Sequence, residues 1–190
     1  MATVSVPRSL TADEYALLDD PPACRDELIE GERVLSPMPK LAHVLILDRL
    51  VEILSRQLAE FGANEPLVVV REAGWKFRID ASGADSVPGP DLMIVRQTDV
   101  RRAVKNDGWY EGVPVAVIEV ISPSERRSRR LQKIGLYLEI GVPHAVEVDY
   151  TRRVVRVHTA ASDALSVYGM GESMSIPFRS VMAEIFSVLD

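Results

Sequence analysis

Hydrophobic positions change period along the chain, and these changes divide it into elements. Val44, Leu47, Leu50, Val51, Leu54 and Leu58 recur at three- and four-residue steps, which makes one face of a helix apolar. The spacing predicts a helix over residues 41–61, with Gly62 as the residue that ends it. Elsewhere the period falls to two or vanishes. Residues 67–72 form a β-branched run, and Trp75, Phe77 and Ile79 alternate with polar neighbours, so both stretches read as strands. Residues 91–96 and 113–121 are almost continuously apolar, the pattern of strands covered on both faces.

Turn and cap signals complete the outline. Thr11 with Glu14 three residues later forms a capping box for a short helix over residues 12–18. Residues 26–35 read as a hairpin around Glu30-Gly31, broken by Ser36-Pro37. Residues 80–89 read as a polar turn or flexible loop, and residues 98–112 as a charged connection without clear period, a mobile surface loop. A second helix follows Ser122-Pro123-Ser124, capped by Ser122 or Ser124, and runs to Ile140 before Gly141. Strands are expected over 145–149 and 154–158, with a turn between them. Two more short strands fall within 165–177, and a last helix over 180–186. The sum is an α/β fold: a mixed central sheet flanked by helices, with an N-terminal β-hairpin. At 190 residues it fits one domain, its core from about residue 10 to residue 186.

Charge and cysteine usage narrow the setting. Twenty-two Lys and Arg against 28 Asp and Glu give a net charge of −6, which argues against coating nucleic acid through bulk charge but leaves room for a local basic site. Cys24 stands alone, so neither an intrachain disulfide nor a CxxC metal site can form, in keeping with a reducing compartment. No signal-peptide core opens the sequence, and no apolar run approaches the ~18 residues of a membrane helix. A soluble, cytoplasmic protein is expected.

Two carboxylates stand where burial makes them costly. Asp91 opens the strand Asp-Leu-Met-Ile-Val, and Glu119 lies near the end of the run Val-Pro-Val-Ala-Val-Ile-Glu-Val-Ile. A buried, unpaired carboxylate costs several kcal/mol or becomes neutral, so each needs a cation, a base or a metal. Neighbouring strand ends would let the two share one hard cation, Mg²⁺ or Mn²⁺, since no Cys or His cluster offers softer atoms. Ordinary ion pairs with nearby arginines explain each acid equally well. The following helix is basic: Arg126, Arg127, Arg129, Arg130 and Lys133 fall within nine positions. Arg126, Arg130, Lys133 and Tyr137 share one face, while Leu131, Ile134 and Leu138 form an apolar one. Alone, such a run is a solvated helix face; beside an acid pair it becomes a candidate phosphate-binding stripe, with Arg126, Arg130 and Tyr137 as substrate contacts.

Taken in order, these residues resemble the PD-(D/E)XK nuclease core, and more closely the Uma-type family of bacterial restriction-endonuclease-like proteins. The likeness runs through Tyr15, Glu27-Leu28-Ile29-Glu30-Gly31-Glu32, Ser36-Pro37, His43, Pro90-Asp91-Leu92, Glu119-Val120-Ile121-Ser122-Pro123-Ser124, Lys133 with Tyr137, and Gly141-Val142-Pro143 before Val148-Asp149. It implies a Mg²⁺- or Mn²⁺-dependent DNA endonuclease. Asp91 and Glu119 would hold the metal with the backbone carbonyl of Val120, Lys133 would orient water or stabilise developing charge, and Glu27 would reach the metal through water. Two positions depart from the pattern. Ile121 stands where the superfamily carries lysine, and Lys133 on the next helix takes its place. Arg129 stands where related sequences commonly carry an acid.

His43 reads as structural from its isolation, and as a substrate contact or a support for Glu27 from the resemblance. Cutting both strands of DNA favours a homodimer. A second reading is a catalytically degenerate member of the fold, acting as a nucleic-acid-binding or assembly module; Ile121, Arg129 and the acidity point to it. A GxSxG elbow, a Walker loop and a dinucleotide fingerprint are all missing from the sequence.

Overall fold

The computed structural model describes residues 9–60, 66–78, 83–123, 125–160, 164–175 and 178–190. Phe61, Gly62, Ile79 and Ser124, assigned above to a helix end, a strand and a cap, lie outside them. In chain order the elements are α1 (Ala12–Tyr15), β1 (Cys24–Ile29), β2 (Glu32–Pro37), α2 (Leu41–Glu60), β3 (Leu67–Arg71), β4 (Phe77–Arg78), β5 (Asp85–Ser86), β6 (Leu92–Arg96), α3 (Gln97–Lys105), β7 (Ala116–Val120), α4 (Arg127–Glu139), β8 (His144–Asp149), β9 (Val154–Thr159), β10 (Ala164–Tyr168), β11 (Ser173–Met174), β12 (Ser180–Val181) and α5 (Met182–Phe186). They pack as two units: Met1–Met38 with Gly74–Gly89, and Pro39–Ala73 with Pro90–Asp190.

The first unit is built on the β1–β2 hairpin. Glu30 and Gly31 both have positive φ, +50° and +79°, the conformation of a tight turn that matches strand twist. Thr11 Oγ1 accepts from the Glu14 N–H at 3.2 Å, and Glu14 Oε2 accepts from the Thr11 N–H at 2.9 Å, so the capping box closes in both directions. Residues 83–89 are more ordered than their composition suggests. β5 pairs with β4, and Val87 bridges to Leu28. Asp85 is the anchor: it accepts from Arg78 Nε at 2.7 Å and from the Ala12 N–H at 2.9 Å. Two-residue strands carry no readable period, which is why this stretch looks like a loop in the sequence.

The second unit holds a six-stranded sheet in the order β10-β9-β8-β7-β6-β3. β7 and β8 run parallel and every other neighbouring pair in this sheet is antiparallel. A parallel pair needs a crossover, and α4 supplies it. Alternation assigns the two faces. Leu92, Ile94, Ala116, Ile118, Val120, Val146, Val148, Val155 and Val157 pack with Ile46, Leu47, Leu50, Ile53 and Leu54 of α2 and with Met182, Ile185 and Phe186 of α5. The opposite face carries Glu119 and Glu147, and α4 lies over it. No helix among the described residues is long and apolar enough to cross a membrane.

Residues 97–105, expected to be part of a charged loop, are helical instead. Helix α3 has no fully buried side chain, and its apolar positions, Val100, Ala103 and Val104, keep helical spacing but are too few and too small to stand out among the charges. Its support is electrostatic: Asp99 lies in the first turn and Arg102 and Lys105 in the last, complementing the helix dipole. Helix α4 also starts differently from expectation. Arg126 is its N-cap, with no side-chain cap bond, and Ser122 instead accepts the Glu125 N–H through its carbonyl. Its C-terminus follows the sequence: Gly141 has φ +95°, and the Val142 N–H returns to the Tyr137 carbonyl at 3.0 Å.

Candidate active site

The site forms where β6, β7 and α4 meet. Leu92 faces Ile118, Met93 faces Val117 and Ile94 faces Ala116 across the β6–β7 ladder. Asp91 immediately precedes Leu92 and Glu119 immediately follows Ile118, so the two acids flank the last pair of this ladder. The Asp91 side chain is 4% exposed, and its Oδ2 accepts the Val120 N–H at 2.8 Å. Its Oδ1 lies 3.2 Å from His43 Nε2, at the start of α2. His43 is buried on the same helical face as Ile46, Leu47 and Leu50, and its ring nitrogens make no well-directed hydrogen bond among the described residues.

Glu119 is engaged from the opposite side by α4. Lys133 Nζ lies 2.9 Å from Glu119 Oε1, and the Tyr137 hydroxyl donates to the same oxygen at 2.7 Å. Lys133 and Tyr137 are four residues apart, so one turn of helix presents both to a single carboxylate. Lys133 is buried, its side chain 9% exposed. The ammonium thus meets Glu119 from a helix, while Ile121 is buried and its N–H donates to the Val148 carbonyl at 2.9 Å.

The predicted basic stripe on α4 divides on folding. Arg130, Lys133 and Tyr137 do share a face, but that face meets the sheet. Arg130 Nε pairs with Glu147 Oε1, and His158 Nε2 lies 2.8 Å from Glu147 Oε2. Arg126 is exposed. With Ser128, Arg129 and Gln132 it lines a surface cavity of about 280 Å³ on the outer side of the helix. Arg129 therefore lies apart from the Lys133 ammonium. Glu27 belongs to the first unit, where its Oε1 accepts the Gly89 N–H at 2.8 Å on strand β1.

Glu147 is the residue that the sequence reading missed. It interrupts the apolar strand Ala-Val-Glu-Val-Asp just as Glu119 interrupts its own strand, so the same signal was available. In the parallel β7–β8 register Glu147 is the direct partner of Glu119. Burial is the largest influence on its carboxyl and raises its pKa, but His158 and Arg130 together outweigh it and hold the group below its ordinary 4.5. Asp149 behaves alike: burial raises it, and Arg152 and Arg156 bring it below 3.8. Burial also lowers His144 below 6.5.

All three shifts favour the deprotonated form in the fold. The unfolded chain therefore takes up protons first as pH falls, and stability declines with it. The loss begins below about pH 6.5 through His144 and steepens through the carboxylates below 4.5. Urea midpoints measured from pH 7 to pH 3 are expected to fall throughout this window. A midpoint that stays level or rises between pH 5 and pH 3 would contradict the assignment of Glu147 and Asp149 as ionised, paired groups.

The family described as "Uma2: Putative restriction endonuclease" matches residues 12–178. A crystal structure described as a putative nuclease from Anabaena variabilis is similar in fold, with a TM-score of 0.78 at 20% sequence identity, covering 95% of this chain and 99% of that one. No curated protein matches the chain. With the match spanning most of its length, including Asp91, Glu119 and Lys133, the chain belongs to the Uma2 family of restriction-endonuclease-like proteins.

Proposed function

We propose that this protein is a metal-dependent DNA endonuclease, with Asp91, Glu119 and Lys133 as its catalytic set. The observation that carries this reading is the Lys133 ammonium, 2.9 Å from Glu119. It puts beside Glu119 the cation that Ile121 does not supply, from a helix rather than from the strand.

The donor atoms near the pair suit a hard cation. Asp91 and Glu119, which flank the Leu92–Ile118 pair, offer carboxylate oxygens. The Val120 N–H already points to Asp91, and in an extended strand the carbonyl of the same residue points to the same side. Among the described residues no three His, Cys, Asp or Glu side chains group into a metal cage. The ion proposed here would be held by two carboxylates, a carbonyl and water, the habit of Mg²⁺ and of Mn²⁺ in oxygen sites. Bound there, the ion would polarise the scissile phosphate and make a bound water more acidic.

The chain's own groups do the rest. Asp91 is oriented by the Val120 N–H, with the His43 ring beside it, so its charge is positioned before substrate arrives. Lys133 offers a proton donor and a positive charge beside the position of the phosphate. Tyr137 donates to the same Glu119 oxygen and limits its rotation. Arg126, exposed at the start of α4, is proposed to meet the DNA backbone, where positioning contacts go to phosphate oxygens. One such site handles one strand at a time, so double-strand cleavage is proposed to use a homodimer, acting on DNA in the cytoplasm.

Supercoiled plasmid incubated with the purified protein and Mg²⁺ or Mn²⁺ is expected to be nicked and then linearised, and a chelator should stop the reaction. A protein that binds DNA, takes up no Mn²⁺ by titration calorimetry and leaves the plasmid intact would overturn this reading. It would leave a nucleic-acid-binding module in its place.

A further inference from the structure

Glu147 has no part in the chemistry proposed above, yet its side chain is 2% exposed and interrupts an apolar strand. Stability alone does not account for it, since a buried ion pair can be replaced by apolar side chains at little or no cost. Its geometry offers another account. Glu147 and Glu119 are register partners on the parallel strands β8 and β7, so their side chains stand side by side on one sheet face. Arg130 and Lys133 are three residues apart on the facing side of α4, and each meets one of these acids. Helix and sheet are thus joined at two adjacent points with matched spacing. His158, from β9, occupies Glu147 Oε2 and leaves Oε1 turned to Arg130.

We propose that Glu147, oriented by His158, is a positioning residue: its pair with Arg130 fixes the height and rotation of α4 so that Lys133 meets Glu119. The proposal rests on the endonuclease reading for its catalytic consequence, but not for its structural one. Lysine has a flexible four-carbon stem and cannot fix a helix by itself. The Arg130–Glu147 ion pair one turn earlier adds a second anchor point on the neighbouring strand, and the two points together set the rotation of the helix, so that the lysine falls into register. A hydrophobic contact in its place would keep the helix on the sheet but would not specify its rotation.

The test replaces the pair with apolar residues of similar size, R130M/E147L, so that neither charge is left buried alone. A second variant, Glu147→Asp, keeps the charge and shortens the arm by one methylene. Two readouts are taken on both proteins, once circular dichroism shows them folded: plasmid cleavage kinetics, and acylation of Lys133 relative to the exposed Lys105, followed by mass spectrometry. Misplacement of a catalytic group predicts a kcat about 10- to 100-fold lower, with KM for DNA within about twofold and Lys133 acylation about fivefold faster. Lys133 acylation at the native rate in the folded variants overturns the proposal, whether or not the native protein cuts DNA. Unchanged kcat in an active enzyme overturns it as well. Faster acylation in a protein whose native form cuts no DNA would uphold the positioning role and refute the endonuclease reading.

Discussion

Asp91→Asn is expected to reduce DNA cleavage by on the order of 10³-fold or more while leaving the protein folded. The size follows from removing a carboxylate from a two-carboxylate cation site, where the bound ion supplies several kcal/mol of charge stabilisation. Asparagine is the informative replacement. Its amide oxygen can still accept the Val120 N–H now bonded to Asp91 Oδ2, so the strand end keeps its bond and only the charge is lost. Asp91→Ala would instead leave that buried N–H without an acceptor, costing about 1–3 kcal/mol and confusing instability with inactivity. The Asn variant should melt within about 3 °C of the native protein and should lose heat of Mn²⁺ binding in calorimetry. An Asn variant that cuts plasmid at the native rate would remove Asp91 from the active site.

The sequence made much of this site readable, for a physical reason that also marks its limit. An acid inside an apolar strand is conspicuous because burying it is costly, and Asp91 and Glu119 stand out on that ground alone. Glu147 sends the same signal, but its strand is short and is followed by Asp149, so the run looks like the polar end of a strand rather than an interruption. Helical period correctly groups Arg130, Lys133 and Tyr137. It does not say what their shared face meets, and a basic face reads as solvent-facing by default. Only the β7–β8 register, which aligns Glu119 with Glu147, shows that two sheet acids wait beneath it. Leu131, expected on the apolar face, is 43% exposed because Lys133 and Tyr137 take the inner positions that periodicity would give to leucine.

The same reasoning separates the elements that sequence shows from those it hides. The long helix α2 is legible because its buried face packs on the sheet and its period is the record of that packing. Helix α3 fully buries no side chain and offers only three apolar positions in its nine residues, so it is hidden. The β4–β5 pair is hidden too, because its support is Asp85, bonded to Arg78 and to the start of α1, and such contacts join distant parts of the chain without leaving a local pattern.

Lys133→Met tests the other half of the catalytic set. Methionine nearly matches the lysine stem in length and removes only the ammonium. Loss of a positioned proton donor or of a charge aimed at the developing anion is expected to lower kcat about 10²- to 10⁴-fold. Metal binding should move the opposite way. In the native protein Lys133 and Tyr137 both occupy Glu119 Oε1, so a cation at Glu119 competes with the ammonium for the same carboxylate. Without the ammonium Glu119 loses a competing cation from that oxygen and is a better anionic ligand. The Met variant is therefore expected to bind Mn²⁺ at least as tightly as the native protein, and to gain more in Tm when Mn²⁺ is added, while cutting DNA poorly. This pairing of retained metal with lost turnover distinguishes Lys133 from Asp91, whose replacement should abolish both. Cleavage at the native rate by Lys133→Met would show that the helix lysine serves only as the counter-ion of Glu119. The reaction would then need another proton donor.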